Sequence, residues 1–195
     1  MVREPEPSAA AAPPFGVEPV ATLRLFAGVW PSEEVVAALA ALPRPAVRGV
    51  RWTTVEQWHV TVAFLGAVAE PALDALGAAL RDAVACADPV EARVGPATER
   101  LGRSLLCAPV TGLDALAAAT RAALAAALPT PVPDPVPFRG HLTLARAHRR
   151  HAIPASLVGT PVAGSWTPGA VCLVRSELDP DGARYTTLVE APVPH

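Results

Sequence analysis

Two short stretches repeat one pattern: His59-Val60-Thr61-Val62-Ala63 and His141-Leu142-Thr143-Leu144-Ala145, each reading His, apolar, Thr, apolar, Ala. In an extended strand successive side chains face opposite ways. Each copy therefore presents His and Thr on one face and its two aliphatic residues on the other. Placed side by side, the copies bring together two imidazoles and two hydroxyls. An imidazole titrates near ~6.5 when unperturbed, so it can take or give a proton at neutral pH. A Thr hydroxyl can donate to a phosphoryl oxygen, and its stiff χ1 makes it a preorganised donor. A lone His in a strand is ordinarily a core or surface residue. The duplication is what points to proton transfer at a phosphate.

The elements that must carry these residues can be read from pattern. Leu23 to Trp30 is an apolar strand. Ser32 is placed to cap a helix that has Glu33 and Glu34 in its first turn and Pro43 as its stop. Arg51 to Thr53 is extended, Val55 to Trp58 turns, and His59 to Leu65 is the first motif strand. Pro71 to about Ala87 is a helix, with Leu73, Leu76, Leu80 and Val84 on one face. Val90–Val94 and Leu105–Val110 are strands, and Leu113–Leu128 is a second amphipathic helix. Pro129 to Pro137 holds five prolines in nine positions, which excludes helix and central strand. This loop leads to Phe138 and the second motif strand. His148 to Pro168 is irregular, with a short helix near Pro154–Val158. Ala170–Arg175 and Tyr185–Glu190 pair across the turn Asp179-Pro180-Asp181-Gly182. Strands mixed with helices, without regular βαβ crossovers, predict an α+β fold.

The chain has 195 residues, enough for a real core. All 16 basic residues are Arg, and the net charge of −2 argues against a broad basic surface for long nucleic acid. Three cysteines without C-x-x-C spacing read as free buried thiols, neither a disulfide framework nor a zinc site. No apolar run approaches the ~18 residues of a membrane span, and Met1–Pro14 lacks a signal-peptide core. Residues 1–20 read as a flexible Pro/Ala-rich tail, and 21–195 as one bilobal domain. The expectation is a cytoplasmic monomer without membrane, metal or cofactor.

The paired H-x-T-x motifs resemble those of the 2H phosphoesterase superfamily, and within it the RNA 2′,3′-cyclic phosphodiesterases, also called 2′-5′ RNA ligases. Leu23-Arg24-Leu25-Phe26-Ala27, Arg51-Trp52, Phe64-Leu65-Gly66, Leu144-Ala145-Arg146, Ser176-Glu177-Leu178, Gly182 and Tyr185 extend the resemblance. It implies two similar lobes, each an antiparallel sheet backed by helices, with one motif per lobe in a central cleft. It also implies hydrolysis of a ribose 2′,3′-cyclic phosphate at RNA ends or nucleotides, leaving a 2′-phosphomonoester. His59 and His141 would be the acid–base pair, with Thr61 and Thr143 as phosphate donors. Pseudo-symmetry leaves the division of labour open; His141 as base and His59 as acid is the working assignment. Alternatives are a 2′-5′ ligase or phosphodiesterase, an ADP-ribose cyclic phosphodiesterase, and a non-catalytic module that binds RNA ends. The absence of Lys removes any covalent Lys-AMP route to ligation.

Arg146 is the candidate clamp, since a guanidinium can bind two phosphate oxygens. Strict alternation, however, puts it on the core face with Leu142 and Leu144. It reaches a cleft only if the strand ends or bulges near Ala145, or if the side chain rounds an edge. Phe138 is the candidate base platform at the cleft edge, although its parity opposes that of His141. Trp52 and Trp58 read as packing residues. His148-Arg149-Arg150-His151 reads as a solvated basic loop, because H-x-x-H needs a helical turn to converge on a metal. Arg24 could also face the cleft. Gly140 stands where many relatives have Pro, which predicts a looser strand entry and an extra charge from Arg139.

Overall fold

The computed structural model describes residues 21–128, 137–148, 150–179 and 182–194. The predicted tail 1–20, most of the proline-rich loop, Arg149 and the central pair of the Asp179–Gly182 turn lie outside them. The first apolar run is β1 (Thr22–Val29). Ser32 caps α1 (Glu33–Ala40), its hydroxyl accepting from the Val35 N–H at 3.4 Å. Then follow β2 (Val50–Trp52), a single 3-10 turn (Val55–Gln57) and β3 (Val60–Ala69). Next comes α2 (Leu73–Ala85), which buries the predicted Leu76, Leu80 and Val84. β4 (Ala92–Val94), β5 (Glu99–Leu101) and β6 (Leu105–Thr111) lead to α3 (Asp114–Ala127). β7 (His141–Ala147) opens on the second motif histidine. A 3-10 turn (Ala155–Leu157), β8 (Gly164–Trp166), β9 (Ala170–Asp179) and β10 (Gly182–Pro192) complete the order. β5 and β8 fall in stretches whose sequence reads as irregular; three residues are too few to show an alternation.

The strands form two antiparallel sheets, ordered β10-β9-β1-β3 and β2-β7-β6-β4-β8, with β5 on β6. The α+β class is as predicted, and each motif lies in its own sheet. The chain does not build one sheet and then the other. β2 sits in the second sheet just before β3 enters the first, and α3 leaves the second sheet to pack on α2 and β3. Segments from either side thus cross between the lobes.

Both motif strands carry the same irregularity. In β3 the pairing with β1 steps from Ala27↔Ala63 to Gly28↔Thr61, skipping Val62. In β7 the pairing with β6 steps from Leu106↔Ala145 to Cys107↔Thr143, skipping Leu144. Each skip is a bulge that turns two successive residues to the core: Val62 with Ala63, and Leu144 with Ala145, all buried. Parity then reverses. The residues that follow, Phe64 and Arg146, return to the face of the His and Thr.

A side chain or backbone group from a crossing segment meets each skipped residue. The Arg121 Nε of α3 donates to the Val62 carbonyl at 2.7 Å. The Thr53 N–H donates to the Leu144 carbonyl at 2.9 Å. The buried Thr53 hydroxyl lies 2.7 Å from the Thr143 carbonyl and 2.8 Å from that of Leu144, with one proton to share between them. It accepts in turn from the indole N–H of Trp58 at 3.0 Å. Trp58 is fully buried, as its parity beside His59 predicts. Thr53→Val keeps the shape but leaves that buried N–H without an acceptor. The expected cost is about 1–3 kcal/mol, read as a lower denaturant midpoint at unchanged m-value.

Candidate functional site

The two motif faces meet across a cleft of about 650 Å³, lined by His59, Thr61, His141, Thr143 and Arg146 among others. Five of the six predicted site residues are therefore brought together, Arg146 by the bulge at Leu144. Phe138 is not. It lies in the stretch before β7 and packs against the core, with the Arg121 guanidinium 5.3 Å from its ring centroid. The aromatic residue on the cleft wall is Phe64, 51% exposed. Its offset from His59 equals that of Arg146 from His141. That repeated five-residue offset is the signal the sequence holds for it.

The two histidines are pinned alike. His59 Nδ1 lies 2.9 Å from the Gln57 carbonyl, and His141 Nδ1 lies 2.7 Å from the Arg139 carbonyl, in each case two residues back. A carbonyl only accepts, so Nδ1 carries the proton in both rings and Nε2 is the free nitrogen. The surroundings differ. His59 stacks on Phe26 at 4.6 Å, tilts against Trp30 at 5.6 Å and meets the edge of Tyr185 at 4.9 Å. Burial in this aromatic box pushes its pKa down to about 4, opposed by the Gln57 hydrogen bond and reinforced by the charges of Arg146 and His141. Burial raises the pKa of the Tyr185 phenol, so it stays a hydrogen-bond donor at neutral pH.

Three guanidinium groups, Arg24, Arg51 and Arg146, line the same cleft with Asp179, Ser176, Gln57 and His148. The sequence assigns no definite role to Arg24, Tyr185 or Ser176, because alternation within a strand does not report which strands stand side by side at the cleft. Arg139 is not at the cleft: it pairs with Glu99 at 2.7 Å. The entry to β7 is tight rather than loose. A Cβ on Gly140 would stand 2.4 Å from the Val110 carbonyl, whose residue donates its N–H to the Gly140 carbonyl at 2.8 Å. Glycine is there for close approach of two backbones. Cys107 and Cys172 are buried and free, each raised to about 11 by burial, whereas Cys86 is exposed. Among the described residues no three His, Cys, Asp or Glu side chains group to hold a metal, and no helix is long and apolar enough to cross a membrane.

A model of the 2′-5′ RNA ligase superfamily matches residues 25–180. The solved structure of TT0787 from Thermus thermophilus is 30% identical, with a TM-score of 0.75 over 88% of this chain and 98% of that one. E. coli LigT shares the fold at 23% identity. Its complex with 3′-AMP aligns with a TM-score of 0.69 over 90% of this chain and 100% of that one, and its apo form with 0.66 over 89% and 99%. No curated protein sequence matches.

The depressed pKa of His59 has two measurable consequences. Its ring resonances are expected to titrate near pH 4 in NMR. The unfolded chain takes that proton near the ordinary histidine value of ~6.5. The stability contribution is therefore fully present above that pH and is lost as pH falls toward 4, by up to about 3 kcal/mol. Unfolding midpoints between pH 7 and pH 4 check this, with His59→Gln removing that share of the loss.

Proposed function

The chain belongs to the 2′-5′ RNA ligase superfamily of 2H phosphoesterases, and on that footing we propose that it hydrolyses ribose 2′,3′-cyclic phosphates at RNA ends or on nucleotides. The product is a 2′-phosphomonoester. The observation that supports this best is the pair of identically pinned imidazoles, each with its Thr, on facing walls of one cleft. E. coli LigT, a structural neighbour, has been solved with 3′-AMP and with phosphate, which fits a nucleotide cleft in this fold.

In this reading water attacks phosphorus opposite the ribose 3′-oxygen. One imidazole takes the proton of the water as the new P–O bond forms. The other delivers its proton to the 3′-oxygen as the old P–O bond breaks. Thr61 and Thr143 donate to the non-bridging oxygens, where charge accumulates, and Arg146 binds them with its fork. The surroundings favour His59 as the base, the reverse of the working assignment. A base must enter neutral, and the aromatic box keeps this ring neutral over a wide pH range. His141, in the more open position, then supplies the proton. Phe64 replaces Phe138 as the flat apolar surface for a nucleobase.

Turnover of a nucleoside 2′,3′-cyclic phosphate in EDTA is the direct test, and absence of hydrolysis there removes the proposal. His59→Ala and His141→Ala are each expected to lower kcat by roughly 10²–10⁴ with an unchanged circular dichroism spectrum. The division of labour has its own readout. With His59 as base, His59→Ala abolishes the acid limb of the pH–rate profile, and His141→Ala abolishes the alkaline limb. The opposite pattern restores the working assignment.

A further inference from the structure

Cleft donors extend beyond the phosphoryl group that the two histidines would hold. Leu25 of β1 pairs with Arg175 of β9, which sets Arg24 across from Ser176. Ser176 pairs in turn with Tyr185 of β10. A guanidinium, a hydroxyl and a phenol thus form one row across three neighbouring strands, and all three line the cleft. The row lies two residues along β1 from Phe26, the residue on which His59 stacks. At the rise of a strand this puts Arg24 roughly 6.6 Å along β1 from Phe26. Tyr185, at the other end of the row, meets the His59 ring at 4.9 Å, so the row runs from the imidazole outward. The Arg24 side chain is exposed, with its Cζ 4.8 Å from the Phe64 ring centroid, and no carboxylate among the described residues forms an ion pair with it. The cleft volume leaves room for more than a cyclic phosphate and its ribose.

We propose that Arg24, Ser176 and Tyr185 form a second phosphate subsite, which takes the phosphate on the 5′-oxygen of the ribose that bears the cyclic phosphate. The inference rests on the cyclic-phosphate reading of the cleft and narrows its substrate class. In an RNA strand that phosphate is the last internucleotide diester; in a free nucleotide it is a 5′-monophosphate. Arg24 supplies charge, Ser176 and Tyr185 supply neutral donors, and Phe64 carries the base between the two phosphate positions. A net charge of −2 is compatible with this arrangement, because the cations that matter are concentrated in the cleft.

The test compares kcat/KM for adenosine 2′,3′-cyclic phosphate, its 5′-phosphorylated form, and the dinucleotide ApA ending in a cyclic phosphate. The two substrates with a 5′-linked phosphate are expected to be favoured roughly tenfold or more, as for a hydrogen bond to a charged group. The preference should shrink with added salt. In Arg24→Gln the ratio is expected to collapse toward one, whatever the absolute rate, with Tyr185→Phe and Ser176→Ala reducing it less. A preference for the dinucleotide identifies an RNA strand as the source. A preference confined to the 5′-phosphorylated mononucleotide identifies a free nucleotide. A wild-type ratio near one, or a ratio that survives Arg24→Gln, overturns the subsite. If none of the three is hydrolysed, the catalytic reading falls by itself, and calorimetry decides the subsite. Tighter binding of adenosine 2′,5′-bisphosphate than of 2′-AMP, equalised by Arg24→Gln, supports it; equal binding in the wild type overturns it.

Discussion

The cleft depends on one backbone constraint, a residue skipped in each motif strand immediately after the Thr. Without the skip, alternation would send Arg146 into the core beside Leu142 and Leu144, where an unpaired charge costs several kcal/mol. Phe64 would likewise leave the cleft wall. A bulge interrupts the ladder and leaves backbone groups that it cannot pair, and buried backbone groups need partners. Arg121 provides one for Val62, and Thr53 provides one for Leu144. Both come from segments that cross between the sheets, α3 in one direction and the stretch after β2 in the other. The interleaved path of the chain is therefore part of the site. Trp58 ties the two lobes further, since it precedes His59 in one sheet and donates to the hydroxyl that holds the bulge in the other.

Much of this is legible from periodicity. The motif strands, α2 and α3, the Ser32 cap and the buried position of Trp58 all follow from local rules, because each is decided by neighbours within a few residues. The bulges do not follow from such rules. Nothing in His-Leu-Thr-Leu-Ala-Arg distinguishes a regular strand from one that skips Leu144, since the partner that accommodates the skip is 91 residues away. Phe138 misleads for a related reason. It lies near the second His in the chain, and its opposite parity is a better guide than its proximity. Gly140 suggests slack because glycine permits slack; the neighbouring Val110 backbone, remote in sequence, makes it a close-packed position instead. Of the resemblance, the family holds by the match over residues 25–180, and the fold by the two antiparallel sheets and the likeness to TT0787.

The repeat is a repeat of backbone and not of surroundings. Each ring is fixed by a carbonyl two residues back, each strand bulges after its Thr, and each bulge turns one side chain back into the cleft. A perfectly symmetric pair of imidazoles would have no means of assigning one proton to one of them. Here the frame is filled differently on its two sides. Phe26, Trp30 and Tyr185 enclose His59, while His141 has no such box among the described residues. At the matching fifth position one wall carries an aromatic ring and the other a guanidinium, and the guanidinium adds to the pressure on His59 to stay neutral. Symmetry thus sets two free ring nitrogens, each with its Thr, on facing walls of one cleft. The broken symmetry makes the two nitrogens unequal: burial holds the boxed His59 ring neutral, and one wall of the cleft offers an aromatic surface where the other offers a fork of donors.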